Sequence, residues 1–578
     1  MKTSVHDLLE KHFETAFAAP DGIAKLRELI LTLAMQGKLV AQDPNDPPAS
    51  ELLKDIEAEK QRLIQEGKIK KPKPLPPIKP EEVPYELPKG WEWVRLGTIC
   101  SYIQRGKSPK YADFSSHRVI SQKCVRWHGL DIEHARYIDP SSLAKYDPIR
   151  YLRVGDLLWN STGTGTIGRA CLVPAELEDV EIVADSHVTV VRPIRLSPVF
   201  LWRWIQSPIV QNEIEGSASG TTNQIELNTS TVINHLMPLP PLPEQHRIVA
   251  RIDQLMARCD ALEKLHKERE EKRRSVHAAA IRQLLDAPNK SADSAADSAW
   301  SFLKQHFGEL YSVKENVAEL RKAILQLAVM GRLVPQDPND PPASELLKEI
   351  EAEKQRLIKE GKIKKPKPLP PIKPEEVPYE LPQGWEWVRL GDVGLVGSSS
   401  RVHQRDWKDQ GVPFYRAREI VKLSKLGFVD NELYISEDHY QALAKDGLVP
   451  EVNDVMLTGV GTIGVPYIVK ETDRFYFKDA SVLIFKNYYR LYAPYLYWFF
   501  KSPYWIDRIH DGSMGTTVHT LTIGRANDIV VPLPPLPEQH RIVEHIDQLM
   551  DLCDRLEQQI DAATGKQTEL LNAVMVQV

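Results

Sequence analysis

The sequence predicts an α/β (α+β) protein in which two globular domains are separated by long helices, and three observations support this fold class. The segment PLPPLPEQHRIV occupies residues 238–249 and returns unchanged at residues 532–543. Each copy is followed by a long apolar-periodic stretch. Because a run of prolines neither continues a helix nor joins a central strand, each copy marks the boundary between a globular domain and a helical arm. A second, near-identical repeat precedes each globular domain, so we expect pseudo-twofold symmetry.

The composition is that of an ordinary globular protein. The chain has 578 residues, of which 42% are hydrophobic and 26% charged, so several domains are expected. It contains neither an apolar run of membrane-spanning length nor the apolar region of a signal peptide, which predicts a cytoplasmic protein. The five cysteines form no CxxC pair, so the spacing predicts neither a zinc site nor a disulfide framework. The net charge of −5 neither indicates nor excludes nucleic-acid binding, since basic patches act locally.

The N-terminal region predicts two helices and a stiff connector. Residues 23–40 carry apolar residues at helical spacing, and Gly37 is a suitable helix end. Ser50 is expected to cap a second helix, which Gly67 terminates. The lysine- and proline-rich residues 68–88 then predict an extended connector with polyproline-II character.

The first globular domain and its arm follow. Short β-rich runs at residues 180–183 and 187–191 and a helix-like stretch at residues 199–205 predict an irregular α/β domain. The arm, about 40 residues or ~60 Å long, has apolar residues in alternating steps of four and three, which is typical of a coiled-coil seam. The seam residues of the first arm are Ile248, Ile252, Leu255, Cys259 and Leu262.

The second half of the chain repeats this order of segments. Residues 337–391 match residues 43–97 except at Asp55/Glu349, Gln65/Lys359 and Lys89/Gln383, whereas the globular inserts share little beyond turns such as GTGTIG and GVGTIG. We expect the two arms to pair as an antiparallel coiled coil. The first arm is followed by a helical block, whereas no such block follows the second arm. The other copy of this block is at the N-terminus, so we also expect a circularly permuted repeat. The predicted domains are a helical block (1–67), connector (68–88), globular domain (89–243), central arm (244–286), linker with a short helix (287–315), second helical block (316–361), connector (362–382), globular domain (383–537) and C-terminal arm (538–578).

Several motifs typical of enzymes are present only in incomplete form. The phosphate-loop pattern around Lys107 lacks its first glycine, and GTGTIG predicts a tight turn before a strand. Asp46-Pro-Pro-Ala49 resembles the Asp-Pro-Pro-aromatic loop of adenine methyltransferases, but alanine replaces the aromatic residue that would stack a flipped base. No metal-spaced His/Cys set or nucleophile motif is present. The chain is therefore expected to be non-catalytic, without cofactor or metal of its own.

The remaining polar loops suit nucleic acid. Arg, Lys, Gln and Asn pair with base edges, while Ser and Thr hydroxyls hold phosphates. For any single residue a solvated surface role is the more common one, so the prediction concerns matched sets in two unlike domains, which would read two unlike half-sites at a fixed spacing. The candidate DNA-binding residues are Arg105, Lys107, Lys110, Gln122, Lys123, Arg126, Thr221, Thr222, Asn223 and Gln224 in the first domain, and Arg401, Arg405, Arg416, Arg418, Thr516, Thr517 and His519 in the second.

These features together resemble the specificity (S) subunit of Type I restriction–modification systems. The resemblance rests on LPxGWEWVRLG at residues 87–97 and 381–391, on residues 154–168 and 452–464, on PLPPLPEQHRIV, and on the LRxxILxLA blocks. It implies two target recognition domains that read the halves of an asymmetric bipartite DNA site, with the spacer set by the coiled coil. It implies assembly with two modification (M) subunits, which bind S-adenosylmethionine and methylate adenine, and with restriction (R) subunits.

The resemblance also bears on particular residues. It places Gln122 and Lys123 where the second domain has Arg416 and Arg418, near DNA. Gln245 and His246, with Gln539 and His540, start the arms and are candidates for contact with the M subunit. Two other classes of protein remain open: a coiled-coil scaffold with two protein-binding domains, which would show no salt-dependent DNA binding, and an autonomous nuclease, which lacks its metal carboxylates.

Overall fold

Helices and strands are divided between two units of the chain. The computed structural model describes residues 15, 17–163, 165–178, 180–218, 227–286, 295–511 and 520–576. Unit 1 comprises residues 1–268 and 563–578, and unit 2 comprises residues 269–562. The described helices and strands confirm the predicted mixed fold class.

Unit 1 begins with two helices, continues into a globular domain and ends in the first arm. Its helices are α1 (Gly22–Met35), α2 (Ala49–Gln65), α3 (Leu96–Ile99), α4 (Pro198–Ile205), α5 (Pro208–Ala218), α6 (Thr229–Asn234) and the arm α7 (Leu242–Asp286), whose last residues belong to unit 2. Its strands are β1 (Glu92–Arg95), β2 (Cys100–Arg105), β3 (Tyr111–Ala112), β4 (Arg118–Ile120), β5 (Val125–Arg126), β6 (Gly129–Leu130), β7 (Arg136–Ile138), β8 (Leu157–Asn160), β9 (Ala170–Leu172), β10 (Ile182–Ala184), β11 (Val188–Pro193) and β12 (Leu236–Leu239).

Two four-stranded sheets form the globular domain of unit 1. One has the order β2-β11-β8-β9 and is antiparallel throughout. The other has the order β10-β4-β7-β3, with β10 parallel to β4. The predicted β-rich runs are therefore β10 and β11, and the predicted helix-like stretch is α4, as expected.

The repeated segments at the two ends of the domain pair with each other. Strand β1 lies antiparallel to β12, with Trp93 opposite Pro238. Proline is tolerated here because the sheet has only these two strands, so Pro238 need not donate to a second neighbour. The helix α7 begins only three residues after β12 ends. The pairing thus fixes where the chain leaves the domain and enters the arm.

Two expectations at helix starts are wrong. Helix α2 begins at Ala49 after Pro48, with no side-chain cap, so Ser50 is inside the helix and does not cap it. Of the residues predicted to meet a partner, His246 and His540 are exposed, but Gln245 is fully buried. Its side-chain oxygen accepts from the Ser197 amide at 3.0 Å, and its amide donates to the Pro240 carbonyl at 2.9 Å. Gln539 is buried in the same way in unit 2. Through these hydrogen bonds, each glutamine attaches the start of an arm to the domain of its own unit.

The seam of the first arm packs against a helix that the sequence analysis had not paired with it. Ile248, Ile252 and Cys259 are buried in one core with residues of α1. Arg27 of α1 donates to Asp260 and Glu263 of the arm, both at 2.7 Å. Leu262, the last predicted seam residue, is 38% exposed. Helix α1 therefore supplies an apolar partner for the first half of the seam within unit 1.

Unit 2 repeats this architecture. Its helices are α8 (Ala295–Gln305), α9 (Phe307–Leu310), α10 (Lys314–Val329), α11 (Ala343–Lys359), α12 (Leu390–Val393), α13 (Ala417–Leu426), α14 (Glu437–Asp446), α15 (Ala493–Phe499), α16 (Pro503–His510), α17 (Ile523–Asp528) and the arm α18 (Leu536–Val576), whose last residues belong to unit 1. Its strands are β13 (Glu386–Arg389), β14 (Leu395–Gly397), β15 (Val412–Tyr415), β16 (Tyr434–Ile435), β17 (Val455–Thr458), β18 (Pro466–Ile468), β19 (Tyr476–Phe477), β20 (Val482–Lys486) and β21 (Val530–Leu533).

The sheets of unit 2 follow those of unit 1. The main sheet has the order β14-β20-β17-β18, a second has the order β16-β15-β19, and β13 pairs with β21. The seam residues Ile542, Ile546 and Cys553 of α18 are buried in a core with α10. Arg321 of α10 donates to Asp554 at 2.6 Å, which reproduces the contact of Arg27 with the first arm.

Candidate nucleic-acid interface

One edge of the unit 1 domain gathers the ends of four strands. Strands β2, β4, β8 and β10 end there and β11 begins there, because β11 is antiparallel to both β2 and β8 and because β4 and β10 are parallel. Backbone hydrogen bonds close the edge: the Lys107 amide donates to the Ala184 carbonyl at 3.1 Å, and the Ser161 amide donates to the His187 carbonyl at 2.9 Å. We call these strand ends and the turns that follow them polar edge 1.

Gln122 is held in place at polar edge 1. The side-chain amide of Asn160 donates to the Gln122 carbonyl at 3.1 Å, and the hydroxyl of Thr166 lies 3.4 Å from its side-chain oxygen. Gly163 has φ of 103°, and a Cβ there would lie 2.4 Å from the same oxygen. The Thr166 amide donates to the Gly163 carbonyl at 3.0 Å, and residues 165–168 are in the predicted tight turn. The turn thus places a glutamine amide, a group suited to adenine, at the surface.

Two further side chains lie at this edge that were not among the predicted site residues, His187 and Asp185. The His187 ring Nδ1 lies 2.6 Å from the Thr162 hydroxyl, and the His187 amide donates to the buried carboxylate of Asp185 at 2.8 Å. Burial raises the pKa of Asp185, although the hydrogen bond from His187 opposes that shift. A single histidine after a short strand is a weak signal, and only the tertiary contact with Thr162 identifies it.

Unit 2 has a corresponding edge, polar edge 2. Strands β14, β15, β17 and β19 end there and β20 begins there. The Ser399 hydroxyl donates to the Phe477 carbonyl at 2.7 Å, the Lys478 amide donates to the Tyr415 carbonyl at 2.8 Å, and the Gly459 amide donates to the Ser481 carbonyl at 2.8 Å. The same strand ends therefore meet in both units, although the side chains they carry differ.

Arg416 and Arg418 lie at polar edge 2 but are engaged in ion pairs. Arg416 lies 3.0 Å from Glu419, and Arg418 lies 2.5 Å from the exposed Glu432. Glu419 is buried, which would raise its pKa, but hydrogen bonds from Arg416 and Arg418 outweigh the burial and the pKa is lowered. Like Gln122, Arg416 follows the strand that pairs in parallel with a neighbour.

The other predicted residues are distributed unevenly. Arg105 ends β2 at polar edge 1 and donates to the Ser186 carbonyl at 2.9 Å, and Lys123 is exposed beside Gln122. Lys110 precedes β3. Because β3 and β4 are both antiparallel to β7, they run in the same direction, so Lys110 lies at the end of that sheet opposite polar edge 1. Arg126 is on the β5–β6 hairpin, 3.9 Å from Asp131. Arg401 and Arg405 are exposed on the segment that follows β14.

Seven predicted residues lie outside the described part of the chain: Thr221, Thr222, Asn223, Gln224, Thr516, Thr517 and His519. The residues that follow these two loops do return to the edges. The Leu227 amide donates to the Ser161 carbonyl at 2.9 Å, and Thr520 forms a β-bridge with Val460. Leu227 and Thr520 therefore lie beside polar edge 1 and polar edge 2.

Among the described residues there is neither a cluster that could hold a metal ion nor a helix that could span a membrane. Within them no three His, Cys, Asp or Glu side chains converge to hold a metal ion. No described helix has the length and apolar character needed to cross a membrane. All five cysteines are buried and unpaired, and burial raises the thiol pKa of each.

Comparison with known proteins identifies the family. The model of the Type I restriction modification DNA specificity domain matches residues 88–271 and 382–563. The chain is 35% identical over 561 residues to the Type I restriction enzyme EcoAI specificity subunit of Escherichia coli, covering 95% of this chain and 92% of that one. It is 33% identical over 569 residues to the EcoEI specificity subunit of Escherichia coli, covering 96% and 93%. The crystal structure of the HsdS subunit from Thermoanaerobacter tengcongensis aligns with a TM-score of 0.41 at 19% identity, covering 85% of this chain and 98% of that one. The chain therefore belongs to the family of specificity subunits of Type I restriction–modification enzymes.

Proposed function

We propose that this chain is the DNA sequence-specificity subunit of a Type I restriction–modification complex, in which each recognition domain reads one half of an asymmetric bipartite site. The observation that supports this most directly is the pair of polar edges. The same strand ends meet in both units, on nearly identical frames, but they present Gln122 and His187 in one unit and Arg416 and Arg418 in the other. Equal scaffolds with unequal polar side chains suit two unequal half-sites.

The chain itself carries out no chemistry in this proposal. Two M subunits bind S-adenosylmethionine and methylate adenine, and R subunits cut the DNA, while the long arms set the spacer between the half-sites. The complex acts on double-stranded DNA in the cytoplasm. The specificity subunit therefore needs only to bind DNA and to hold its partners.

Exchange of one recognition domain tests the proposal. Methylome sequencing of the source strain, with and without the gene, will show a bipartite methylated site that depends on this chain. Replacement of residues 98–237 by the corresponding part of another specificity subunit should change one half-site and leave the other half-site and the spacer unaltered. A site without bipartite character, or a change in both halves, would refute the proposal.

A further inference from the structure

We propose that two identical lysine-rich segments outside the polar edges bind the DNA phosphate backbone without regard to sequence. These segments, which we call the lysine straps, are residues 67–80 and 361–374, and both read GKIKKPKPLPPIKP. The inference rests on the proposed function, because it requires the chain to bind DNA. It adds to that function a contact that contributes affinity but no base preference.

The straps present exposed cations. Each contains five lysines and no acidic residue. Lys70, Lys71 and Lys73 are exposed in unit 1, as are their counterparts Lys364, Lys365 and Lys367 in unit 2. Among the described residues none of these six side chains is in an ion pair, whereas the neighbouring Lys68 lies 2.8 Å from Glu66. Six unneutralised ammonium groups are therefore available to an anionic partner.

Each strap is anchored to its domain at its C-terminal half. Arg95, which is buried, donates to the Pro76 carbonyl at 2.9 Å and to the Pro77 carbonyl at 3.2 Å, and it pairs with both oxygens of Glu82. A Cβ on Gly97 would lie only 3.0 Å from the Leu75 side chain, so the strap runs against the domain there. Arg389 makes the same contacts in unit 2. The prolines stiffen the intervening chain, which limits the conformational entropy that the lysines lose on binding.

The identity of the two straps argues for a contact that does not read bases. The straps lie within residues 43–97 and 337–391, which the repeat keeps almost unchanged, whereas the preceding helix has diverged, even with reversal of charge: Lys25 corresponds to Glu319, and Glu28 corresponds to Lys322. The inserts that carry the polar edges have diverged still further. A phosphate contact is the same at any sequence, so two domains that read different bases can share it. Removal of the ten strap lysines would change the net charge of −5 to −15, which shows how strongly the straps offset an otherwise acidic chain.

Phosphate fits the straps better than an acidic protein surface does. Lysine binds phosphate as a point charge and needs no fixed hydrogen-bond geometry. The four prolines between Lys71 and Ile78 have no amide hydrogen, and two of their carbonyls are already bound to Arg95, so the strap offers little backbone to a protein partner. A row of mobile ammonium groups is then its main binding feature.

The test compares neutralised straps with a matched control in the full chain. In one variant Lys70, Lys71 and Lys73 become glutamine, and in a second Lys364, Lys365 and Lys367 do. The control carries Lys264→Gln, Lys267→Gln and Lys272→Gln, which are exposed positions of α7. The dissociation constant is measured against salt concentration for a duplex with the methylated site and for a scrambled duplex of the same length. An arginine version of each strap variant keeps the charge.

We expect each strap variant to weaken binding to both duplexes by the same factor and to reduce the salt slope by about 0.9 for each lysine that contacts a phosphate. The arginine versions should bind like the wild type. A strap variant with the slope and affinity of the control would overturn the inference. Loss of M-subunit assembly with an unchanged salt slope would overturn it in favour of an acidic protein partner. A wild type that shows no preference for the methylated site would instead refute the proposed function itself.

Discussion

At the scale of single residues, polar edge 1 holds its polar side chains against their neighbours. The Thr166 hydroxyl lies 3.4 Å from the side-chain oxygen of Gln122, and the Thr162 hydroxyl lies 2.6 Å from Nδ1 of His187. Pre-organised side chains lose less entropy when they meet a base, so such contacts favour discrimination. Arg418 differs from these side chains, because its ion pair with Glu432 must break before it can contact DNA.

This contrast predicts separate effects of two substitutions. Gln122→Ala should weaken discrimination in one half-site by about 1–3 kcal/mol, which is the range for a bidentate side-chain–base pair. Arg418→Ala should affect only the other half-site. Binding to a library of duplexes randomised in each half-site measures both effects. If Gln122→Ala altered the half-site that Arg418→Ala alters, the assignment of the two edges to different halves would be wrong.

At the scale of structural elements, one buried arginine holds the middle of each connector, and a tyrosine, Tyr85 or Tyr379, holds its end. Arg95 accounts for the contacts of residues 76–82 with β1, and it also donates to the Asn234 carbonyl at 2.9 Å. The side chain is 6% exposed, so its loss leaves several carbonyls without a donor. The connector's position on the domain therefore depends on this residue.

Arg95→Met should release the first connector while the second stays bound. Limited trypsin digestion detects this, since the bonds after Lys68 and Lys70 can be cut whereas lysine–proline bonds resist the enzyme. Cleavage at residues 68–71 should become several-fold faster, and cleavage at residues 362–365 should keep its wild-type rate. Arg389→Met should produce the reverse pattern. Equal acceleration at both connectors would indicate general unfolding and not a local release.

The start of each arm contains a carboxyl with a perturbed pKa. Trp91 donates to Glu244 at 3.0 Å, and Trp385 donates to Glu538 at 2.8 Å. Burial raises the pKa of both carboxyls, although the tryptophan hydrogen bonds oppose that shift. The folded state thus binds these protons more tightly than the unfolded state, so the wild type loses stability as pH rises from below 4.5 through the raised folded pKa.

Glu244→Gln combined with Glu538→Gln removes this titration while keeping an oxygen for each tryptophan. The melting temperature of the double variant, relative to the wild type, should be higher at pH 8 than at pH 4. Thermal unfolding of the full chain at the two pH values measures the difference. A control with Glu51→Gln and Glu345→Gln removes the same charge from exposed helix positions. A difference that does not change with pH would contradict the expectation.

At the scale of the whole molecule, two repeated units are joined by long helices. The first arm has 45 residues and the second 41. In both arms the seam near the start is buried within one unit, whereas the middle of the arm is exposed, at residues 261–269 of the first arm and 561–563 of the second. The middle of each arm can therefore change in length without loss of a domain core.

Insertion of two heptads into the exposed middle of both arms should lengthen the recognised site. Fourteen residues add about 21 Å of helix, so the spacer should increase and both half-sites should stay the same. Methylome sequencing of a strain that carries the variant reads the new site. Altered half-sites with an unchanged spacer would show that the arms do not set the distance.

Much of the architecture was accessible from the sequence because its determinants are local or repeated. The proline runs, the glycines at positions 37 and 67 and the two near-identical frames predict element borders and the duplication, which depend on backbone chemistry at each position. The site was only partly accessible. Gln122 and Arg416 could be proposed from residue type, but His187 could not, because its role depends on a neighbour 25 positions away.

The sequence by itself determined that this chain has two repeats, two unlike inserts and two apolar arm seams, since periodicity and repetition are properties of the chain. Only the tertiary structure decided what those features contact. It showed that α1 and α10 cover the seams, that Gln245 and Gln539 are buried pins, and that Arg418 is held by glutamates. Contacts between distant segments depend on how strands and helices are brought together, and no single stretch of sequence contains that information.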